Sequence, residues 1–261
     1  MQNIICDTNI WYDIANGRKS IEQLSGVHLI GTSVNITEIS STPNLLSNIE
    51  LVARTVNSMR IHVHEIVISN PIEYLISLFH SDFKPDTNIE MRLLEGFNIL
   101  KDIDVNSIPA QNVIDAEKQI KEIVNSQREF TNTINEGLLE VKKNIEKHEG
   151  IEEHSKLDFI EIWKKYFSDL VLEYSKQYCV KEYELDINSK SWDQLEFFLY
   201  TWESYFKNDL EIGKRKFDKN DWGDLFNLVY VYPGSKYWTS ERKWNLIFNS
   251  NERLRKYNFS T

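Results

Sequence analysis

The chain has 261 residues, 41% of them hydrophobic and 12% aromatic, enough to fill the core of one large domain or of a smaller domain with a substantial insertion. It has no run of about 18 uncharged apolar residues and no basic-then-apolar leader, so we expect neither a membrane span nor a secretory signal. Two cysteines are too few for a disulfide framework, which predicts a reduced, cytoplasmic protein. The missing apolar run predicts that this protein does not contact a membrane.

The formal net charge of −10 argues against a protein that coats nucleic acid over its whole surface. The charge is unevenly spread. Residues 212–261 hold ten Lys/Arg and five Asp/Glu, which leaves −15 for residues 1–211. A basic C-terminal end on an acidic chain indicates either a phosphate-binding face or a solvated surface.

The N-terminal part alternates short apolar runs with helical patterns. Residues 3–6 predict a buried strand, and residues 27–33 predict a second strand followed by a helix that carries Glu38. A further helix is expected over residues 45–59 and a third strand over residues 60–68. Strand, helix and strand joined by short corners predict an α/β fold with a central parallel sheet.

The middle of the chain differs because helical periodicity prevails from residue 70 to about residue 211. Between residues 120 and 145, apolar side chains recur at spacings of three, four or their multiples, with Glu and Lys between them. This pattern predicts one long amphipathic helix. We therefore predict an all-α insertion over residues 70–211.

The α/β pattern returns after this insertion. We expect a helix that continues to Val231, a turn at Pro233-Gly234, a strand over residues 236–239 and a last helix. The two ends of the chain then form one discontinuous core, residues 1–69 and 212–261.

Acidic residues come close after the predicted strands or on the helices beside them. Asp7 ends the first strand, Glu38 lies about one turn into the helix after the second, and Glu241 closely follows the last. Asp221 and Asp224 are three residues apart, hence on one face of the helix before the last strand. Ligands of parallel sheets bind at the carboxyl ends of the strands, so these acids are expected to meet at one edge.

Several carboxylates placed together repel one another unless a cation neutralises them. Oxygen ligands of this kind are those that Mg²⁺ or Mn²⁺ prefers. The sequence therefore predicts a divalent-metal site at the sheet edge.

The order of these short motifs resembles that of the PIN domain family. The matching segments are Asp7-Thr8-Asn9, Thr37-Glu38, Asn220-Asp-x-x-Asp-Leu225 and Thr239-Ser240-Glu241. The resemblance covers residues 1–68 and 212–261 and implies a Rossmann-like three-layer core with metal-dependent endoribonuclease activity. It also implies single-stranded or structured RNA as substrate. Many members are toxins of bacterial toxin–antitoxin pairs, so a toxin or defence nuclease is expected.

The resemblance also implies roles for individual residues. One or two Mg²⁺ or Mn²⁺ ions would polarise the scissile phosphate and activate the attacking water. The implied metal ligands and catalytic acids are Asp7, Glu38, Asp224 and Glu241, with Asp221 as an additional catalytic acid. Glu241 stands where the family usually has Asp. The implied substrate contacts are Asn9, Thr239, Lys219, Arg242 and Lys243.

Alternatives stay open at this point. The chain could be a non-catalytic nucleic-acid or protein-binding module on a degenerate PIN scaffold. Residues 70–211 could cover the site or bind a protein partner or a second copy of the chain. A phosphohydrolase of the haloacid dehalogenase type is disfavoured, because its second Asp would stand at position 9, where this chain has Asn9.

Overall fold

A computed structural model describes residues 1–22, 24–41, 48–85, 159–207 and 219–260, with residues 94–96 and single positions at 118, 125 and 136. In these residues four strands form one sheet in the order β3-β2-β1-β4, and every neighbouring pair is parallel. The strands are β1 (Gln2–Cys6), β2 (Val27–Thr32), β3 (Glu65–Val67) and β4 (Lys236–Trp238).

Helices surround this sheet. The first group is α1 (Thr8–Ala15), α2 (Ser33–Ser41), α3 (Ile49–His62) and α4 (Pro71–Phe79). The second is α5 (Phe159–Tyr178), α6 (Glu196–Tyr205), α7 (Lys219–Asn227), α8 (Arg242–Ser250) and α9 (Glu252–Arg255). Two 3₁₀ helices span Lys190–Leu195 and Leu228–Tyr230.

Both faces of the sheet are buried, as the alternation of side chains along β1 and β2 shows. Ile4 and Leu29 pack in a core with residues of α1, α2 and α3. Ile5 and Ile30 point to the other face and pack with residues of α4 to α8. A parallel sheet covered on both faces by helices confirms the predicted α/β class.

The described helices of residues 70–211 belong to that second core. Trp163, Phe167 and Trp202, from α5 and α6, have 0% exposure and share one apolar cluster with Ile5 and Ile30. Helical structure was expected here and is found in α4, α5 and α6. The long helix expected between residues 120 and 145 lies outside the described residues.

The prediction of a third strand over residues 60–68 is wrong in its first half. Helix α3 continues to His62, and the Val63 amide still donates to the Met59 carbonyl at 2.7 Å. Val56 and Met59 are fully buried, so helical packing decides the conformation of this segment. Among residues 60–68, the strand that pairs with β2 spans Glu65–Val67.

The C-terminal elements follow the prediction more closely. The helix expected to reach Val231 ends as an α-helix at Asn227 and continues as a 3₁₀ turn to Tyr230. Strand β4 runs from Lys236 to Trp238 and pairs with β1. None of the described helices has the length and apolar composition needed to cross a membrane.

One buried amide fixes α7 against the sheet. Asn227, 1% exposed, accepts a hydrogen bond from the Thr32 hydroxyl at 2.7 Å. Its amide nitrogen donates to the Tyr237 hydroxyl at 3.3 Å and to the Cys6 carbonyl at 3.5 Å. Because Thr32, Tyr237 and Cys6 lie on β2, β4 and β1, this side chain orients α7 over the carboxyl edge of the sheet.

Candidate metal centre

Three carboxylates converge at the carboxyl edge of the sheet. Asp7 follows β1, Asp224 lies on α7, and Glu241 follows β4 at the start of α8. One oxygen from each residue lies within 4.8 Å of the oxygens from the other two. The longer side chain of Glu241 therefore reaches the cluster.

Asp7 is almost fully buried, at 2% exposure, and is held by three donors. Its oxygens accept hydrogen bonds from the Thr8 amide at 2.7 Å, the Asn9 amide nitrogen at 2.5 Å and the Thr239 hydroxyl at 2.6 Å. Burial, together with the charge of Glu241, outweighs these bonds and raises the pKa of Asp7 to about 6. The carboxylate is thus fixed in orientation but short of positive charge.

Asn9 and Thr239 were both expected to contact substrate. Their side chains form hydrogen bonds with other residues of the site. Both side chains bind Asp7. In addition, the side-chain oxygen Oδ1 of Asn9 accepts a hydrogen bond from the backbone amide of Ser240 at 2.9 Å, and the Thr239 hydroxyl accepts one from the backbone amide of Glu241 at 3.0 Å. These bonds tie the turn after β4 to the turn after β1. Both residues therefore position the acids.

Glu38 lies beside the cluster without joining the three close oxygens. It is the sixth residue of α2, and its carboxylate accepts a hydrogen bond from the Thr8 hydroxyl. The Asn35 amide donates to that same hydroxyl oxygen at 3.0 Å, which orients the Thr8 proton toward Glu38. Burial and the nearby charge of Asp7 raise the pKa of Glu38 to about 8.

Gly223 lets α7 approach Glu38. A Cβ at this position would lie 2.1 Å from Oε1 and 3.3 Å from Cδ of Glu38, much closer than non-bonded atoms allow. The absence of a side chain therefore permits the carboxylate of Glu38 to rest against the helix that carries Asp224.

Asp224 is held by an indole. The Nε1–H of Trp244, on α8, donates to Oδ2 of Asp224 at 2.9 Å. Burial raises the pKa of Asp224, and the charges of Asp7, Glu241 and Glu38 raise it further. The carboxylates of the site therefore disfavour one another's ionisation, as expected where a compensating cation belongs.

The remaining predicted residues are placed differently. Asp221 forms an ion pair with Lys243 and accepts a hydrogen bond from the Tyr205 hydroxyl at 2.5 Å, so its carboxylate faces these partners and stands outside the three-acid cluster. In this arrangement the ammonium of Lys243 is paired with Asp221. Arg242 is exposed at the first position of α8. The side chain of Lys219 lies outside the described part of the chain.

The donor set fits a divalent metal ion. Three carboxylates supply oxygen ligands on three separate elements, and a cation among them would offset the burial and the mutual repulsion that raise the pKa of Asp7 and of Asp224. This buried acidic cluster could bind a metal. Comparison of the chain with protein-family models, with curated proteins and with solved structures returned no match.

Three positioning residues escaped the sequence analysis. Gly223 carried a signal, because a glycine inside a helical pattern indicates close approach of another group. Asn35 and Trp244 carried none, since their partners Thr8 and Asp224 are distant in sequence and only the fold brings them together.

Proposed function

We propose that this chain is a metal-dependent nuclease of the PIN type, which hydrolyses phosphodiester bonds of RNA. The observation that supports the proposal is the meeting of Asp7, Asp224 and Glu241, whose oxygens lie within 4.8 Å of one another. They meet at the carboxyl edge of a parallel sheet, the place where open α/β folds bind their ligands. The resemblance of the motif order to that of the PIN family supports the reaction class.

In this proposal Asp7, Asp224 and Glu241 hold Mg²⁺ or Mn²⁺. These residues would hold the cation, and it would supply positive charge to polarise the scissile phosphate and to lower the pKa of the attacking water. The hydrogen bonds to Asp7 and the indole bond to Asp224 keep two of these carboxylates aimed at the same point.

Glu38 is assigned to orienting the attacking water. Its position beside Asp7, with the Thr8 hydroxyl bound to Oε2, places it next to the cluster without consuming Oε1. A group that orients the attacking water must lie next to the metal site, and Glu38 is the acid outside the three ligands whose charge interacts with both Asp7 and Asp224.

RNA binding is assigned to the exposed rim. Arg242 follows Glu241 directly and presents its guanidinium at the first turn of α8, where it can contact a phosphate of the strand being cut. Phosphate contacts of this kind hold the backbone in register and are independent of base sequence.

The test is cleavage of labelled single-stranded and structured RNA by purified protein with Mg²⁺, Mn²⁺ or EDTA. We expect cutting that requires the metal and falls at least about a hundredfold in Asp7→Asn, since a lost ligand removes several kcal/mol of transition-state stabilisation. Asp193→Asn is the matched control, because Asp193 is an exposed acid on the first 3₁₀ helix. Absence of both cleavage and metal binding would favour the non-catalytic binding module, whereas metal binding without cleavage would indicate that a specific substrate or an activator is required.

A further inference from the structure

Helix α7 presents two acids three residues apart with different surroundings. Asp224 joins the acidic cluster and is held by the Trp244 indole. Asp221, 7% exposed, forms an ion pair with Lys243 and accepts the Tyr205 hydroxyl at 2.5 Å. Side chains at this helical spacing are neighbours, with Cβ atoms about 5–6 Å apart. Asp221 is thus the acid that shares a helix face with a member of the cluster.

The ammonium group of Lys243 contacts one carboxylate and two aromatic rings. It pairs with Asp221, lies 4.1 Å from the centre of the Trp244 ring and 5.5 Å from that of Tyr205. Only 20% of the Lys243 side chain is exposed. A partly desolvated ammonium held by a carboxylate and two aromatic faces is a firmly bound cation.

We propose that Lys243 is a resident cation that neutralises Asp221, so that the centre takes one divalent metal ion instead of two. The inference rests on the metal centre of the proposed function. A second ion of a two-metal site lies about 3.5–4 Å from the first and needs carboxylates of its own. Here Asp221, the acid on the same helix face as Asp224, is already paired with the ammonium of Lys243.

Other described residues offer no substitute for Asp221. Within the described part of the chain, Asp7, Asp224 and Glu241 are the one set of three or more side chains close enough to share a metal ion. Glu38 is not in that set; its Oε2 accepts from the Thr8 hydroxyl, and its Oε1 lies against Gly223. A second divalent ion bound through Asp221 would therefore have to displace the ammonium of Lys243 from that carboxylate.

The test counts bound Mn²⁺ by electron paramagnetic resonance and isothermal titration calorimetry. We expect about one ion per chain in the native protein and about two in Lys243→Met, which keeps the side-chain length but removes the charge. The double variant Lys243→Met/Asp221→Asn should return to about one ion, because Asp221 then has no charge to offer. Thermal melting of each variant checks that it folds.

The outcomes separate this inference from the function on which it rests. Native protein that binds no ion removes the metal centre itself, whereas native protein that binds two ions overturns the role of Lys243 and leaves the centre intact. One ion in both the native protein and a folded Lys243→Met also overturns it. If Lys243→Met does not fold, Asp221→Asn decides: Mn²⁺ affinity within about twofold of native supports the inference, and a loss of about tenfold or more contradicts it.

Discussion

Replacing Gly223 with alanine tests whether the close approach of α7 to Glu38 matters. The added Cβ would lie 2.1 Å from Oε1 of Glu38, and ordinary van der Waals contact begins near 3.4 Å, so the carboxylate must move by about 1 Å. That movement pulls Glu38 away from the Thr8 hydroxyl and from its place beside Asp7. A misplacement of this size in a catalytic group lowers rates by about a hundredfold.

Two effects on stability oppose each other in this variant. Alanine gains up to about 1 kcal/mol over glycine in a helix interior. Loss of the hydrogen bond from Thr8 to Glu38 costs about 1–1.5 kcal/mol. We therefore expect the melting temperature of Gly223→Ala to stay within about 4 °C of native, since 1 kcal/mol shifts the melting point of a protein of this size by about 2–4 °C.

A second glycine provides the matched control. Gly96 is also helical, and a Cβ there would meet no atom within 4 Å. We therefore expect Gly96→Ala to gain only the free energy by which alanine is favoured over glycine in a helix. The assays are RNA cleavage, calorimetric melting and Mn²⁺ binding. Glu38→Asp, combined with Gly223→Ala, shortens the acid and should recover part of the cleavage rate. Gly223→Ala that cleaves at the native rate and is stabilised as much as Gly96→Ala would refute the reasoning.

Three further predictions concern the same edge of the sheet. The pKa values of Asp7 (about 6) and Glu38 (about 8) exceed those of the unfolded chain, so the folded state binds more protons. The melting temperature in EDTA should therefore fall as the pH rises from about 4 to 8, and a rise over that range would contradict this prediction. Trp244→Phe should weaken Mn²⁺ binding about tenfold by calorimetry, whereas Trp192→Phe, which loses an indole bond to a loop carbonyl, should not. Asn227→Leu should cost about 1–3 kcal/mol of unfolding free energy, measured by thermal melting, because buried partners lose their hydrogen bonds.

The elements that carry the acids could be predicted from sequence because each combines a short apolar run with a polar break. Ile4 and Ile5 precede Asp7, and Tyr237 and Trp238 precede Thr239. In a parallel sheet such runs are buried on both faces, and their ends share one edge. Local pattern and general topology were sufficient to bring Asp7 and Glu241 together.

The boundary between α3 and β3 could not be predicted in the same way. Residues 60–68 alternate well enough for a strand, yet Val56 and Met59 anchor the preceding helix in the core and carry it on to His62. Short segments are ambiguous between the two periods, and tertiary packing then decides.

The environment of Asp221 was equally hidden. Helical spacing places it on the face of Asp224, but its partners Tyr205 and Lys243 are 16 and 22 residues away along the chain. No local pattern reports such a pair, so a residue expected as an additional catalytic acid is found in an ion pair.

The pairing of β1 with β4 has a consequence for folding during synthesis on the ribosome. Asp7 is made first, but its neighbours Asp224 and Glu241 emerge after more than 200 further residues have been joined. Contacts between residues so far apart form late, since closing so long a loop costs chain entropy. A nascent chain therefore carries an incomplete acidic centre until β4 pairs with β1, so the three acids cannot share a metal ion before synthesis has passed β4 and the turn that follows it.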